Sequence, residues 1–353
     1  MKRATLREVA VLAGVSTATV SNVLNETKYV SDEIKRKVKL ACEELNYEIN
    51  TVAKSLRVKE SRIIGLLISD IANPFFSSVV RGIEKELAKS YYSLLLCNTD
   101  SNLEKEDKYL KVLIGKRIDG LIVSSAGNSG EYFSSLKKMG VPIVFLNRCP
   151  DFMTFDVIMT NNIQGAYSAT EHLIRHNYSK IAIITGRIAI STGKDRLTGY
   201  KRALEDYGIP EFDHLIKEGN FDIDSGYRMM KELMSQDEKP DAVFISNNSM
   251  TLGACKYLKE KAYSIPDDIA LIGYDDPDWA ELIEPPITTV RQPSYEIGTQ
   301  AAKLMVGRIV NNHIKKEIMY MDTKLIIRQS CGCIGDIITT SDNEMVKENQ
   351  LNT

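Results

Sequence analysis

Several absences bound this chain before any motif is read. It has no run of 18 apolar residues and no apolar stretch of signal-peptide length near its start. We therefore expect no bilayer helix, no membrane partner and a cytoplasmic location. Its six cysteines stand at 42, 97, 149, 255, 331 and 333 without framework spacing, so reduced thiols are the expectation. The one close pair, Cys331-Gly332-Cys333, has no histidine beside it in the sequence at zinc-ligand spacing. Histidine is scarce, at 172, 176, 214 and 313 only. His172 and His176 have the i, i+4 spacing that can chelate a metal, but the only acid beside them is Glu171 on the same helix, and the pair reads as a solvated face. No metal and no cofactor are expected. The phosphate loop, dinucleotide fingerprint, nucleophile elbow and zinc-protease helix are all missing. The chain reads as a non-enzyme with no catalytic residue.

A strong net charge is lacking too: the balance is −2 over 353 residues. Its distribution is more informative. Residues 1–62 carry 12 Lys/Arg against 8 Asp/Glu, leaving 33 against 39 for the remainder. A mildly basic head on an acidic body suits phosphate contact by one end only.

That head holds the most organised stretch. Thr5-Leu6-Arg7-Glu8 has capping-box spacing, and Leu6, Val9, Ala10 and Ala13 follow as a short helical stripe. Gly14 ends the helix in a tight turn. Ser16 is placed to cap a second helix, on which Val20, Val23 and Leu24 face inward and Thr17, Ala18, Ser21 and Asn22 face out. Two short helices across a glycine turn, the second showing small hydrogen-bonding residues, form a helix-turn-helix pattern. Asn can bond adenine and the methyls of Ala and Thr can touch thymine in the major groove. The plainer reading, two amphipathic helices of an ordinary domain, loses ground at the next segment. Ser31 is placed to cap a third helix whose Ile34, Val38, Ala41, Leu45 and Tyr47 close a three-helix core. A small polar-basic segment, Asn50 to Arg57, then carries one bare leucine, Leu56.

These residues resemble the LacI/GalR family of bacterial transcriptional repressors. The resemblance rests on Leu6, Val9-Ala10, Ala13-Gly14-Val15-Ser16, Thr19-Val20-Ser21, Val23-Leu24-Asn25, Val30-Ser31, Leu45-Asn46-Tyr47, Ala53 and Ser55-Leu56-Arg57. It extends over about residues 4–334. It implies a hinge helix near 51–58 that folds on operator DNA, with Leu56 wedged into the minor groove. The family usually has Pro just before that helix; Glu48-Ile49-Asn50 lacks it, leaving Asn50 as the cap. The implied DNA contacts are base reading by Thr17, Ala18 and Asn22 and phosphate holding by Ser16, Thr19 and Ser21. Thr5, Asn25, Tyr29, Asn50, Ala53 and Leu56 complete the set.

The remainder alternates strand-like and helical runs. Ile63–Ile68, Ser93–Cys97, Gly120–Val123 and Ile143–Leu146 read as buried parallel strands with helical spacing between them. A second series starts at Lys180–Gly186 and continues through 216–221, 242–245 and 269–273. Lys116 to Gly120 and Lys239 to Ala242 precede corresponding strands, a faint internal repeat. The expected class is α/β: a three-helix head (1–49), a hinge helix and linker (50–61), and a two-lobed periplasmic-binding-protein-like core of doubly wound parallel sheets (62–335). Lobe 1 is expected to span about 62–161 plus 291–323, and lobe 2 about 162–290 plus 324–335. Residues 336–353 are polar and aperiodic, read as a disordered tail, and lack the leucine heptads of the family's tetramers, so a homodimer is expected.

Ligands in such sheets sit at the carboxyl ends of the strands. The turns there, which the resemblance also indicates, carry Phe75, Phe76, Asn147, Arg148, Asn161, Arg196, Phe221, Asn248 and Asp275. Flat rings suit the C–H faces of a sugar, and amide, carboxylate or guanidinium groups suit its hydroxyls. Phe76 equally suits the core, Asn161 a turn and Asp275 a helix cap, while Trp279 fits an interface or a lid as well as a pocket. Asn stands at 147, 161 and 248 where many relatives carry Asp, which points to a less acidic pocket, more tolerant of an acidic or phosphorylated effector. The expectation is a ligand-controlled repressor on double-stranded operator DNA, its small-molecule effector a sugar or sugar derivative. The alternatives are a catabolite-type regulator answering to a phosphorylated protein, a purine-responsive repressor and a solute-binding transport protein; the DNA-reading head disfavours the last.

Overall fold

Helix α1 (Leu6–Ala13) begins where the capping box closes. The Thr5 N–H donates to Glu8 Oε2 at 2.7 Å and the Glu8 N–H donates to Thr5 Oγ1 at 3.3 Å. Gly14 ends the helix at φ 66, a left-handed conformation, with its N–H reaching the Ala10 and Val11 carbonyls. Helix α2 (Thr17–Asn25) follows, and Ser16 Oγ accepts the Thr19 N–H at 3.0 Å. Helix α3 (Asp32–Glu44) starts after Ser31, whose side chain makes no capping bond. Asp32 and Glu33 put negative charge in that first turn instead, where the helix dipole favours it. Val9, Ala10, Ala13, Val20, Val38 and Ala41 form the core of this unit, ringed by Leu6, Val23, Leu24, Ile34, Leu45 and Tyr47.

The computed structural model describes residues 4–25, 28–47, 60–127, 130–148, 155–311, 315–333 and 338–339. The chain divides into two units, Met1–Ser61 and Arg62–Thr353. The expected hinge contacts Asn50, Ala53 and Leu56 lie outside the described residues.

The second unit opens with β1 (Ile63–Ile68), α4 (Pro74–Ala88), β2 (Ser93–Asn98), α5 (Leu103–Gly115), β3 (Gly120–Val123), α6 (Gly130–Lys138), β4 (Ile143–Leu146) and β5 (Asp156–Thr160). It continues with α7 (Asn162–Arg175), β6 (Ile181–Thr185), α8 (Ser191–Asp206), β7 (Ile216–Glu218), α9 (Ile223–Met234), β8 (Ala242–Ile245), α10 (Asn248–Glu260) and β9 (Ala270–Tyr274). The last elements are β10 (Thr288–Arg291), α11 (Ser294–Val310), β11 (Ile318–Met321), β12 (Lys324–Ile327) and β13 (Ile338–Thr339).

Two sheets result, one per lobe. The first is ordered β11-β5-β4-β3-β1-β2 and is parallel throughout. The second is ordered β13-β12-β10-β9-β8-β6-β7, parallel from β10 to β7, with β12 and β13 running antiparallel at its far edge. Strands such as Leu121–Val123 and Val243–Ile245 are fully buried because helices cover both faces. Two expectations need correction. The strand read over 216–221 stops at Glu218, because Phe221 adopts a left-handed φ of 63 that turns the chain away. The tail read as disordered from 336 contributes β13, whose backbone pairs with the otherwise open edge of β12.

The chain passes between the sheets three times among the described residues: from β5 to α7, from β10 to α11 and from β11 to β12. The passages lie side by side. The Asn161 N–H donates to the Met321 carbonyl at 3.0 Å, and the Thr160 hydroxyl donates to Gln292 Oε1 at 2.7 Å. Arg308 on α11 grips Asp156 of β5 through two hydrogen bonds of 2.8 and 2.6 Å, fixing that helix to the first sheet although it follows a strand of the second.

Candidate DNA-reading face and effector cleft

On α2 the outward residues differ in how free they are. Thr17 and Ala18 are exposed, and Ser21 and Asn22 half-buried. The Ser16 and Thr19 hydroxyls bond each other at 2.9 Å, and Asn25 Nδ2 donates to the Ser21 carbonyl at 2.8 Å. Ser16, Thr19, Ser21 and Asn25 thus brace the helix while Thr17, Ala18 and Asn22 shape its outer surface. Thr5 is committed to its capping box, and Tyr29 stands 93% exposed.

In the second unit, Arg148, Phe221, Asn248 and Asp275 follow the strand ends, while Arg196 stands in the second turn of α8 and reaches back to the carboxyl end of β8 through the Ser246 carbonyl. Arg148 follows β4 and is 6% exposed; its Nη1 donates to Ser101 Oγ at 3.0 Å and its guanidinium lies 5.0 Å from the Phe221 ring centre. Burial pushes its pKa down to about 9, and the neighbouring charges of Arg187 and Arg196 act in the same direction, with Glu106 and Asp70 opposing. Arg148 Nε and Arg187 Nε are buried and make no hydrogen bond among the described residues. Arg196, 3% exposed, donates to Asn162 Oδ1 at 2.8 Å and to the Ser246 carbonyl at 2.5 Å, and lies 3.6 Å from the Tyr274 ring centre. Burial raises the Asp275 pKa; the charge of Arg196, the hydrogen bond from Gln292 Nε2 at 2.6 Å and the Asn248 backbone pull it back.

Phe221 depends on its left-handed backbone and on Gly186. A Cβ on Gly186 would sit 2.0 Å from the Phe221 ring, so only glycine lets the ring lie there. Asn147, also left-handed at φ 59, is buried, and its Oδ1 has no partner among the described residues. Asn248 faces Asn73 from the other lobe, and beside them opens a groove of about 690 Å³ lined by Phe75, Asn248, Asp275, Trp279, Arg291 and Gln292.

Two expected cleft residues lie elsewhere. Phe76 is 3% exposed and packs in the first lobe's core, edge-on to Phe75 with ring centres 5.0 Å apart. Asn161 caps α7 by accepting the Gln164 N–H at 3.2 Å, and lines a separate cavity of about 170 Å³ beside Thr323 and Asp322. Its neighbour Asn162 meets Arg196 instead. Sequence reasoning missed Asn162, Arg187, Ser101 and Gln292; the arginine directly after the Gly186 strand end was the one available signal.

The solvated-face reading holds for His176, which is exposed, but not for His172, which is half-buried, its pKa pushed down to about 4 by burial and then by His176 and Arg175. His172 Nε2 lies 3.3 Å from Cys331 Sγ.

A helix-turn-helix unit followed by two α/β lobes with a polar cleft between them defines a class: DNA-binding proteins that sense a small ligand. Comparison places the chain within it. Residues 61–328 match the model of periplasmic binding proteins and sugar binding domain of the LacI family, and residues 5–50 match that of bacterial regulatory proteins, lacI family. The chain belongs to the LacI family of bacterial regulatory proteins. The HTH-type transcriptional repressor PurR of Vibrio atlanticus (strain LGP32) is 38% identical over 328 residues, 93% of this chain and 98% of that protein. A transcriptional regulator CelR–cellobiose complex superposes with a TM-score of 0.72 at 32% identity, covering 93% of this chain and 100% of that one. The lac repressor dimer bound to operator and the anti-inducer ONPF gives 0.82 at 27% identity, covering 94% and 99%.

Proposed function

We propose that this chain is a transcriptional repressor that binds a near-palindromic operator as a homodimer and answers to an anionic sugar derivative, such as a sugar phosphate or sugar acid, held between its lobes. In this reading the head spans 1–49, the hinge 50–61 and the sensing core 62–335. Thr17, Ala18 and Asn22 read bases, and Leu56 opens the minor groove. Arg148, Arg196, Phe221, Asn248 and Asp275 hold the effector, joined by Arg187 and Asn162. Bound effector shifts the balance between lobe arrangements by its differential affinity for them, and with it the spacing of the two heads on a twofold site.

The observation that carries the effector class is the cluster of Arg148, Arg187 and Arg196. Arg148 is buried against two like charges, and two guanidinium Nε atoms there have no partner among the described residues. An anion supplies both the charge and the acceptors. The flat Phe221 and Phe75 rings, together with the likeness to a protein named PurR, support a second reading in which the ligand is a purine.

Thermal shift of the full-length protein tests both. A ligand at 100 times its Kd adds about 2.7 kcal/mol to the folded state. The panel holds neutral sugars, their phosphates and acids, nucleobases and nucleotides, and each hit is then tested for altered operator binding. Stabilisation by sugar phosphates or acids, and not by their neutral parents, supports the proposal. A shift from neutral sugars overturns the anionic assignment, and one from nucleobases moves the protein to the purine reading. If none shifts the melting, binding of a phosphorylated carrier protein is measured next, and a positive result overturns small-molecule control.

A further inference from the structure

At the far edge of the second sheet, away from the cleft, four ligand-bearing side chains from distant parts of the chain converge. His172 and His176 project from the last turn of α7 and its cap. Cys331 and Cys333 follow β12, separated by Gly332 at φ 90. His172 Nε2 lies 3.3 Å from Cys331 Sγ and 3.5 Å from Cys333 Sγ, and His176 Nε2 lies 3.2 Å from Cys333 Sγ. The ligand atoms of His172, Cys331 and Cys333 fall within 4.8 Å of one another. A tetrahedral zinc ion with Zn–N near 2.0 and Zn–S near 2.3 Å separates its nitrogen and sulfur ligands by about 3.6 Å.

We infer that His172, Cys331 and Cys333 form the core of a Cys2His2 site for Zn²⁺, with His176, which approaches Cys333 alone, as its fourth ligand. The Cys331 thiol can donate to the Arg328 carbonyl at 3.4 Å, but that bond does not account for the convergence of both sulfurs on one ring nitrogen. His172 Nε2 has one lone pair, yet two thiol sulfurs approach it, and Cys331 is fully buried. A cation shared by both sulfurs and the ring nitrogen accounts for that convergence. Two thiolates and two imidazoles are a donor set that selects zinc over harder divalent ions. Binding releases the two thiol protons, so the loaded site is neutral. The surroundings suit thiolate and ion alike. Thr288 Oγ1 lies in hydrogen-bonding range of Cys331 Sγ at 3.1 Å, a contact of the kind that orients metal ligands. The carbonyl end of α7 favours positive charge beside it. His-x3-His on one helix face is itself a zinc-binding spacing. The ion would clamp the segment after β12 to α7, within one lobe and independent of the effector.

The test is metal content of full-length, untagged protein purified with zinc present and then desalted. One zinc per chain is expected. Replacement by Co²⁺ should give the intense visible bands and thiolate charge transfer of a tetrahedral sulfur-ligated ion. Cys331→Ser risks misfolding at a buried position, so the diagnostic variants are Cys333→Ser and His176→Ala, both at more accessible positions. Cys333→Ser should lower zinc affinity at least 100-fold and His176→Ala at least tenfold, while Cys42→Ser retains one equivalent. Chelator should lower the melting temperature of the wild type but not that of the Cys333→Ser, His176→Ala double variant. Three results would each overturn the site. They are less than about 0.1 equivalent of zinc on freshly reduced protein, a loading too low to stabilise the fold by mass action, a Cys331–Cys333 disulfide as the resting form, and unchanged zinc in the double variant.

Discussion

Asn73 and Asn248 clasp each other across the cleft: each side-chain Nδ2 donates to the other's Oδ1, at 3.1 and 3.0 Å. One residue caps the first helix of lobe 1 and the other begins a helix of lobe 2. The clasp therefore joins rigid elements and not mobile loops, and it exists only while the lobes are close.

Asn248→Ala removes both bonds while leaving Asn73 to cap its own helix through the Phe75 N–H. Each lost bond weakens the closed arrangement by ~0.5–1.5 kcal/mol. Small-angle scattering of the ligand-free variant should show a larger radius of gyration, and affinity for the effector should fall by roughly 5- to 150-fold, the factors that the loss of both bonds implies. An unchanged radius with unchanged affinity would remove the clasp from the mechanism.

Asp275 gives a prediction in pH. Burial holds its folded pKa above its ordinary value. The folded state then binds more proton than the unfolded state between those two pKa values, and this carboxyl's contribution to stability declines as pH rises through that window. Asp275→Asn has no proton to lose. Its melting temperature relative to wild type should climb as pH is raised from about 3.5 to 7, taking ~3.9 as the unfolded carboxyl pKa. A constant gap would show that the carboxyl is not strained by burial.

Gly186→Ala drives a methyl into the Phe221 ring, which must leave the Arg148 guanidinium. Overpacking of this kind costs typically ~1–3 kcal/mol. Calorimetry should show effector binding weakened tenfold or more, while operator binding by ligand-free protein stays within twofold. Equal loss of both activities would indicate general misfolding, and retention of both would show that the ring does not touch the ligand.

In the head, no atom of the described residues lies within 4 Å of where a Cβ on Gly14 would stand, so a side chain there meets only backbone strain. Left-handed geometry costs an ordinary L-residue ~1–2 kcal/mol, and Asn less. Operator affinity by gel shift, and resistance of the head to proteolysis, should rank Gly, then Asn, then Ala, then Val. Any order placing Val above Asn contradicts the turn assignment.

Much of this was legible in the sequence because local chemistry determined it. The capping box, the glycine turn and the buried β-branched runs each act over a few residues, and they located the head, both sheets and the strand ends where Arg148, Asn248 and Asp275 stand, whereas Arg196 lies within a helix. What failed depended on a rotation or on distance. Asn161 and Asn162 are adjacent, but one side chain turns back to cap its helix while the next reaches Arg196. Phe75 and Phe76 both pack in the first lobe's core, and of the two Phe75 also borders the groove. The histidine–cysteine cluster joins residues 157 to 161 positions apart, and no spacing rule links a helix end to a segment so far along the chain.

The triple passage between the sheets limits what an effector can say. Bodies held by a single strap can swing, twist and slide; three adjoining straps tied together by Asn161–Met321 and Thr160–Gln292 leave little but bending about one line. A ligand then communicates one quantity, an angle. Compounds of different shape differ only in how far along that one scale they place the lobes.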